Sequence, residues 1–250
     1  MNITVVGGTG LIGTLLVAHL RREGHQVVSA ARATGVNSYT AEGLPEALDG
    51  AQAVVDVSNS SYIDEAAARE FFYVSTMNLL SYGAAAGVAH HVALSVVGTD
   101  RLARAEGGYF QAKAEQERLI VGSGAAFTLV HATQFFEFVR SITDAATRGP
   151  VARVAAARIQ PMAARDVAAA VAVAATGAPQ GGIVEHAGPE VFEPRALAER
   201  ELLHRRDDRQ VEADPLGTYF GARIGRDDLL PGAGVRIAPT RFDDWLASSH

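Results

Sequence analysis

Cysteine is absent from the 250 residues, which excludes disulfides, thiolate metal sites and cysteine nucleophiles and fits a reducing compartment. An excess of positive charge is lacking too. The 22 basic side chains stand against 28 acidic ones, a formal net charge of −6, and this works against the broad basic footprint that neutralises nucleic-acid phosphates. No apolar run approaches the roughly 18 residues of a membrane span, and the opening Met1-Asn2-Ile3-Thr4 carries no basic leader. The histidines show no metal-ligand spacing such as His-Glu-x-x-His, and the adjacent His90 and His91 would point to opposite faces of a strand, so no metal is expected. These absences predict a cytoplasmic protein without nucleic-acid or membrane partners; the oligomeric state stays open, a homodimer being one option. Core material, by contrast, is abundant. Hydrophobic residues make up 48% and charged ones 20%, enough for a large core, and the length suits one α/β domain over residues 1–250.

The local pattern begins with a β-branched run, Ile3 to Val6, a glycine-rich turn, and then Leu11, Ile12, Leu15, Leu16 and Leu20 at helical spacing up to Gly24. Further strand patterns fall at Gln26 to Ala30, Ala53 to Val57, His91 to Val97 and Phe127 to His131, the last three counted as fourth, fifth and sixth. Between and after them, helices are expected over Asp64 to Ala86, Tyr109 to Val121 and Gln134 to Arg148, the last stopped by Gly149-Pro150. Arg165 to Ala175 reads as a helix, Gly182 to His186 as a strand, Pro194 to Arg206 as a helix, and Arg241 to Ala247 as a short amphipathic segment holding the one tryptophan. Such alternation predicts a Rossmann-type doubly wound parallel sheet, with about 188–250 as a small C-terminal lobe on the substrate side.

Gly7-Gly8-Thr9-Gly10-Leu11-Ile12-Gly13 lies where a strand ends and a helix begins, the context that gives a glycine pattern meaning as a dinucleotide turn. Gly7 allows the tight turn, Gly10 admits a pyrophosphate to the backbone, and Gly13 lets the helix pack closely, with Thr9, Leu11 and Ile12 beside them. The acidic residue that would hold the 2′-hydroxyl of NAD is missing: no Asp or Glu occurs between Gly24 and Ala41. Arg32 stands at that place instead, and a guanidinium suits a 2′-phosphate, so NADP(H) is expected in preference to NAD(H). Ser58 and Asn59 should run along the cofactor.

Of the 22 basic side chains a single one is lysine, Lys113, and it follows Tyr109 by four residues. On a helix the two share a face, which puts a proton donor beside a fixed positive charge. Ser95, near the end of the strand pattern Val92 to Gly98, is a candidate second donor to a substrate oxygen. Four of the ten phenylalanines, Phe127, Phe135, Phe136 and Phe138, cluster just after a parallel strand, at the edge where ligands of open α/β sheets bind. Gln134, Phe135, Phe138 and His131 are therefore candidate substrate contacts, with one or two of the aromatics expected to reach the pocket and the rest to fill core.

With Gly7-x-x-Gly10-x-x-Gly13, Tyr109-x-x-x-Lys113 preceded by Ser95, and Gln134-Phe135-Phe136-Glu137-Phe138, the chain resembles the short-chain dehydrogenase/reductase superfamily in its atypical, NmrA-like branch, over about residues 1–190. The resemblance implies an NADP(H)-dependent oxidoreductase in which Tyr109 protonates a developing oxyanion, Lys113 binds ribose and lowers the tyrosine pKa, and Ser95 orients the substrate oxygen. Asn78 would face the sheet. Ser75, where extended members usually carry glycine, and the short C-terminal portion depart from the sugar-nucleotide enzymes of the superfamily, so a small apolar molecule bearing a carbonyl, quinone or conjugated group is the expected substrate. Two alternatives remain open: a non-catalytic NAD(P)-sensing regulator of a partner protein, and an epimerase or dehydratase that retains its cofactor.

Overall fold

Four of the five residues of the first strand are buried, the mark of a strand covered on both faces, and the sheet grows outward from it. The computed structural model describes residues 1–60, 64–104, 108–219 and 222–248. In chain order the first half comprises β1 (Asn2–Val6), α1 (Leu11–Arg22), β2 (Gln26–Ala30), α2 (Leu44–Leu48), β3 (Ala53–Asp56), α3 (Glu65–Ala85), β4 (His90–Val96), α4 (Thr99–Arg104), α5 (Gly108–Gly122) and β5 (Phe127–Ala132). The second half follows as α6 (Val139–Ala145), β6 (Thr147–Arg148), β7 (Val151–Ala155), α7 (Ala164–Thr176), β8 (Gly182–Ala187), α8 (Pro194–Arg205), β9 (Gln210–Asp214), β10 (Thr218–Tyr219), β11 (Ala222–Arg223), β12 (Arg236–Ile237) and α9 (Phe242–Ser248).

Seven strands form the main sheet in the order β12-β8-β5-β4-β3-β1-β2, every neighbouring pair parallel. Side chains alternate between its faces as the pleat requires. Ile3 and Val5 turn to Leu16 and Leu20 of α1 and to Val167 and Val171 of α7. Val6 and Val54 turn the other way to Leu79 of α3, and Ala93 and Leu129 to Ile120 of α5. The strand order reverses between β1 and β3, and in such sheets the crevice at that point, beyond the carboxyl ends of the strands, is where a ligand fits.

Three sequence expectations change. Ala53–Asp56 is the third strand, not the fourth, because the chain after β2 forms a 3₁₀ turn at Arg32–Thr34 and an isolated Asn37–Glu42 bridge in place of a strand. Asn78 serves that segment and not the sheet: its amide donates to the Ser38 and Tyr39 carbonyls at 2.8 and 2.9 Å. The helix expected over Gln134 to Arg148 shortens to α6. The Gln134 carbonyl accepts from Met162 N at 2.8 Å and Phe136 N donates to the Met162 carbonyl at 3.0 Å, which holds the chain there away from helical bonding.

The small lobe starts well before Gly188. Its three-stranded sheet, β6-β7-β9, draws two strands from residues 147–155, while β12 returns to the main sheet. Phe136, Phe242 and Trp245 form an aromatic cluster, and Glu137 accepts both from Ala164 N at the start of α7 and from Trp245 Nε1 at 3.0 Å. That carboxylate joins the C-terminal helix to the main sheet's support.

Candidate active site

A cleft of about 1610 Å³ runs along the carboxyl edge of the sheet, from the glycine turn to the small lobe. At its first end Gly7 has φ +80°, a left-handed conformation that favours glycine, and a Cβ there would lie 2.7 Å from Ser58 N. A Cβ on Gly13 would lie 2.1 Å from the Gly7 carbonyl oxygen, so α1 is held against the turn by the lack of a side chain. Gly10 precedes α1 with no side chain capping the helix and no acidic residue in the first turn, and Gly7, Thr9, Gly10, Leu11 and Ile12 line the cleft. The arrangement fits a pyrophosphate: uncapped N–H groups and the positive end of a twelve-residue helix face a space without side chains. Arg32 lines the cleft after β2, exposed, with no hydrogen-bond or ion-pair partner for its guanidinium among the described residues.

Ser58 and Asn59 follow β3 and line the middle of the cleft. The Ser58 N–H and hydroxyl both donate to Asp56 Oδ1, at 2.9 and 2.6 Å, and Asn59 Oδ1 accepts from the Tyr109 hydroxyl at 2.9 Å. Tyr109 and Lys113, on the first turns of α5, both line the cleft and are both buried. Burial, opposed by the bond to Asn59, pushes the Tyr109 phenol up to about 12. Lys113 donates to the Leu94 carbonyl at 2.8 Å and to Gln116 Oε1, and its ammonium sits 4.7 Å from the centre of the Phe72 ring. Burial holds that ammonium's pKa below the usual lysine value, against the opposing pull of Asp56 and Glu117. Two of the three Lys113 N–H groups go to Leu94 and Gln116, and the rise of the Tyr109 phenol comes from burial, with Asn59 opposing it.

Ser95 borders the cleft, but its hydroxyl donates to Glu117 and lies 3.4 Å from the Thr99 hydroxyl. His131 does not line the cleft. It is the register partner of Ser95 on the adjacent strand, and its Nε2 lies 3.1 Å from Glu117 Oε1, beneath the site. Burial works against the Glu117 carboxylate, yet contacts with His131, Ser95 and Lys113 outweigh it and hold its pKa below the usual range.

At the far end Gln134, Phe135 and Phe138 line the cleft, the two rings stacked at 5.4 Å, while Phe136 packs in the core cluster with Phe242 and Phe127 packs beside Ile120 and Leu129. The small lobe adds polar side chains to the lining of the same cleft, Arg153, Asp214, Thr218 and Tyr219, among apolar ones such as Ile142, Ala146 and Ala155. Tyr219 stacks on Phe110, and its phenol is pushed up by burial and by the nearby Tyr109, with a hydrogen bond to Gln134 opposing. Sequence reading missed Asp56, Gln116, Glu117, Arg153 and Tyr219. The helical spacing of Lys113, Gln116 and Glu117 was the available signal for two of them, since all three fall on one face of α5.

A family model described as the NAD dependent epimerase/dehydratase family matches residues 3–100, less than half of the chain, the part that holds the glycine turn and the first four strands. Over 60 residues the chain is 43% identical to a 4-hydroxy-tetrahydrodipicolinate reductase of Natronomonas pharaonis, a match covering 22% of this chain and 24% of that protein. The chain thus matches about a quarter of that curated relative's length. Among solved structures, MoeE5 in complex with UDP-glucose and NAD aligns with TM-score 0.78 at 18% identity, over 99% of this chain and 96% of its own. The fold is the Rossmann fold of NAD(P)-binding oxidoreductases and epimerases. An NADPH-dependent quinone oxidoreductase from Escherichia coli, in complex with NADPH, shares it with TM-score 0.63 at 22% identity, over 86% of this chain and 78% of that one. A nucleoside-diphosphate-sugar epimerase from Staphylococcus aureus does so with TM-score 0.67 at 18% identity, over 86% and 81%. One scaffold therefore serves both cofactors and both chemistries.

Proposed function

We propose that this chain is an NAD(P)-dependent enzyme in which hydride passes between a nicotinamide and a carbinol or carbonyl carbon while Tyr109 exchanges the proton on the oxygen. The carrying observation is that Tyr109 and Lys113, from adjacent turns of α5, meet in the middle of a cleft whose one end is a glycine cradle for a pyrophosphate. A bound nicotinamide supplies or accepts the hydride. The chain supplies the rest. Gly7, Thr9, Gly10, Leu11, Ile12 and Gly13 hold the pyrophosphate, Ser58 and Asn59 run along the dinucleotide, and the Lys113 ammonium takes the ribose hydroxyls. In the reducing direction the Tyr109 phenol gives its proton to the oxygen as carbon receives hydride, and solvent reprotonates it. Ser95, bonded to Glu117, supports the floor of the site. Arg32, without a side-chain partner among the described residues, suits a 2′-phosphate and favours NADP(H), with NAD(H) accommodated.

For the substrate, Gln134 and the Phe135–Phe138 pair share the cleft with Arg153, Asp214 and Thr218, a lining that suits a polar molecule with one apolar face. This departs from the small apolar molecule bearing a carbonyl, quinone or conjugated group expected from sequence. A cleft larger than the ~300–1,000 Å³ of a single ligand site has room for the dinucleotide and a second sizeable ligand. That size, with the family model and the UDP-glucose complex of MoeE5, supports a second reading: an epimerase or dehydratase of sugar nucleotides that keeps its cofactor between turnovers.

The test is to denature purified protein and assay the released nicotinamide, then to follow NADPH and NADH with quinones, ketones and UDP-glucose. Net cofactor consumption supports the first reading. Retained nicotinamide with sugar-nucleotide conversion and no net consumption supports the second. Cofactor binding with neither outcome returns the chain to the sensor class.

A further inference from the structure

Beneath the cleft, a buried acid touches both arms of the Tyr109/Lys113 pair. Asp56 ends β3 at 2% exposure. Its Oδ1 accepts the Ser58 N–H and hydroxyl at 2.9 and 2.6 Å, which sets the turn presenting Asn59 to the Tyr109 hydroxyl. Its Oδ2 accepts Gln116 Nε2 at 2.9 Å, and Gln116 Oε1 in turn accepts from the Lys113 ammonium. An ammonium only donates and a carboxylate only accepts, so a single orientation of the Gln116 amide satisfies both neighbours. We propose that Asp56 is the positioning residue of this site: through Gln116 it fixes the Lys113 ammonium, and through Ser58 it fixes the Asn59 contact to Tyr109. The proposal rests on the enzymatic reading above, since it assigns the device that holds that reading's acid–base pair.

Other charged groups near Lys113 are few. Glu117, on the same helix, is the second carboxylate acting on it, with His131 of β5 beside Glu117; His91 of β4 is turned to Asp56, and the Phe72 ring of α3 faces the ammonium. Asp56→Asn keeps the shape but puts an NH₂ group where one acceptor oxygen stood. If that NH₂ faces Gln116, the Gln116 amide must turn and present its own NH₂ to the ammonium. The double variant Asp56→Asn/Gln116→Glu restores the alternation of donors and acceptors with the charge moved one residue nearer Lys113.

Because Lys113 is the one lysine in the sequence, protein labelled with [ε-¹³C]lysine yields a single side-chain lysine resonance, whose pH titration is read without substrate or cofactor. Asp56→Asn should lower its midpoint by about one pH unit, the scale of losing one nearby opposite charge. The double variant should return the midpoint to the parent value or above it, and Ser58→Ala, which touches the other arm alone, should leave it in place. Should Asp56→Asn fail to fold by circular dichroism, Gln116→Met removes the relay with similar bulk and should lower the midpoint in the same sense. An unchanged midpoint in a folded Asp56→Asn or Gln116→Met variant, or a double variant that does not recover, overturns the proposal. Failure of the enzymatic reading shows separately, as a parent protein that neither binds nor turns over NADPH while its lysine still titrates.

Discussion

Gly13 and Gly10 lie three residues apart in one motif, yet the structure predicts opposite consequences for giving each a methyl group. At Gly13 a Cβ would meet the Gly7 carbonyl oxygen at 2.1 Å, Gly8 Cα at 2.7 Å and Gly7 C at 2.8 Å, all backbone atoms that no rotamer change can move aside. Gly13→Ala must therefore push α1 away from β1, an overpacking that costs about 1–3 kcal/mol. At about 2–4 °C per kcal/mol for a chain of this size, melting should fall by about 2–12 °C. The same displacement carries the start of α1 away from the pyrophosphate position, so NADPH affinity should fall at least about tenfold, which is about 1.4 kcal/mol. At Gly10 the one contact is the Gly7 oxygen at 3.3 Å, which yields with a few tenths of an ångström of movement, and the backbone there is ordinary extended geometry. Gly10→Ala should melt within about 1 kcal/mol of the parent yet weaken NADPH, because its methyl occupies the cradle. Thermal melts by circular dichroism without cofactor, paired with NADPH fluorescence titration, measure both effects. A Gly13→Ala variant that melts with the parent, or a Gly10→Ala variant that melts as low as Gly13→Ala, would refute the close-approach argument.

Tyr109→Phe should cut turnover on any substrate found in the NADPH screen by on the order of 10²–10⁴ while NADPH affinity holds; undiminished turnover would withdraw the proton from Tyr109. Arg32→Ala should weaken NADPH by about 1.5–3 kcal/mol and leave NADH nearly unchanged, and a parent protein that binds the two equally removes Arg32 from the 2′-phosphate. Burial depresses the His91 imidazole from 6.5 to about 4, against the pull of Asp56 and with help from His90. Between those values the unfolded chain takes up a proton that the folded chain refuses, so stability should decline as pH falls from about 6.5 to 4. Urea midpoints across that window should show the decline in the parent and a smaller one in His91→Gln; equal slopes would mean that other groups drive it.

What could be read along the chain was what depends on near neighbours in sequence. The glycine turn, α1, α3 with its Asp64 cap, α5, α7 and α8 all stand within a residue or two of their expected bounds, because spacing, caps and breakers are local properties. The errors came where a distant segment competes for the backbone. Gln134 to Phe136 has helix-compatible residues, but Met162 takes its N–H and C=O groups. The chain after β2 could have supplied a strand, but Asn78, forty residues on, holds it as a loop.

The site divides along the same line. Tyr109 and Lys113 are four apart on one helix, so their shared face followed from helical geometry alone. Ser95 and His131 occupy pleat positions that match Ala93 and Leu129, two residues earlier on β4 and β5, which pack against Ile120 of α5. That parity turns both toward Glu117, Ser95 while still bordering the cleft and His131 outside it, and a sequence shows parity only once the covering helix is known. Arg153 and Tyr219 were further out of reach: their place in the cleft depends on how the small lobe, with β7 and the two-residue β10, packs along it. The mixed lining of this end of the cleft is therefore a tertiary property. It appears when residues 153, 214 and 218 are brought into the same cleft as residues 134–138, which the phenylalanine cluster alone does not reveal.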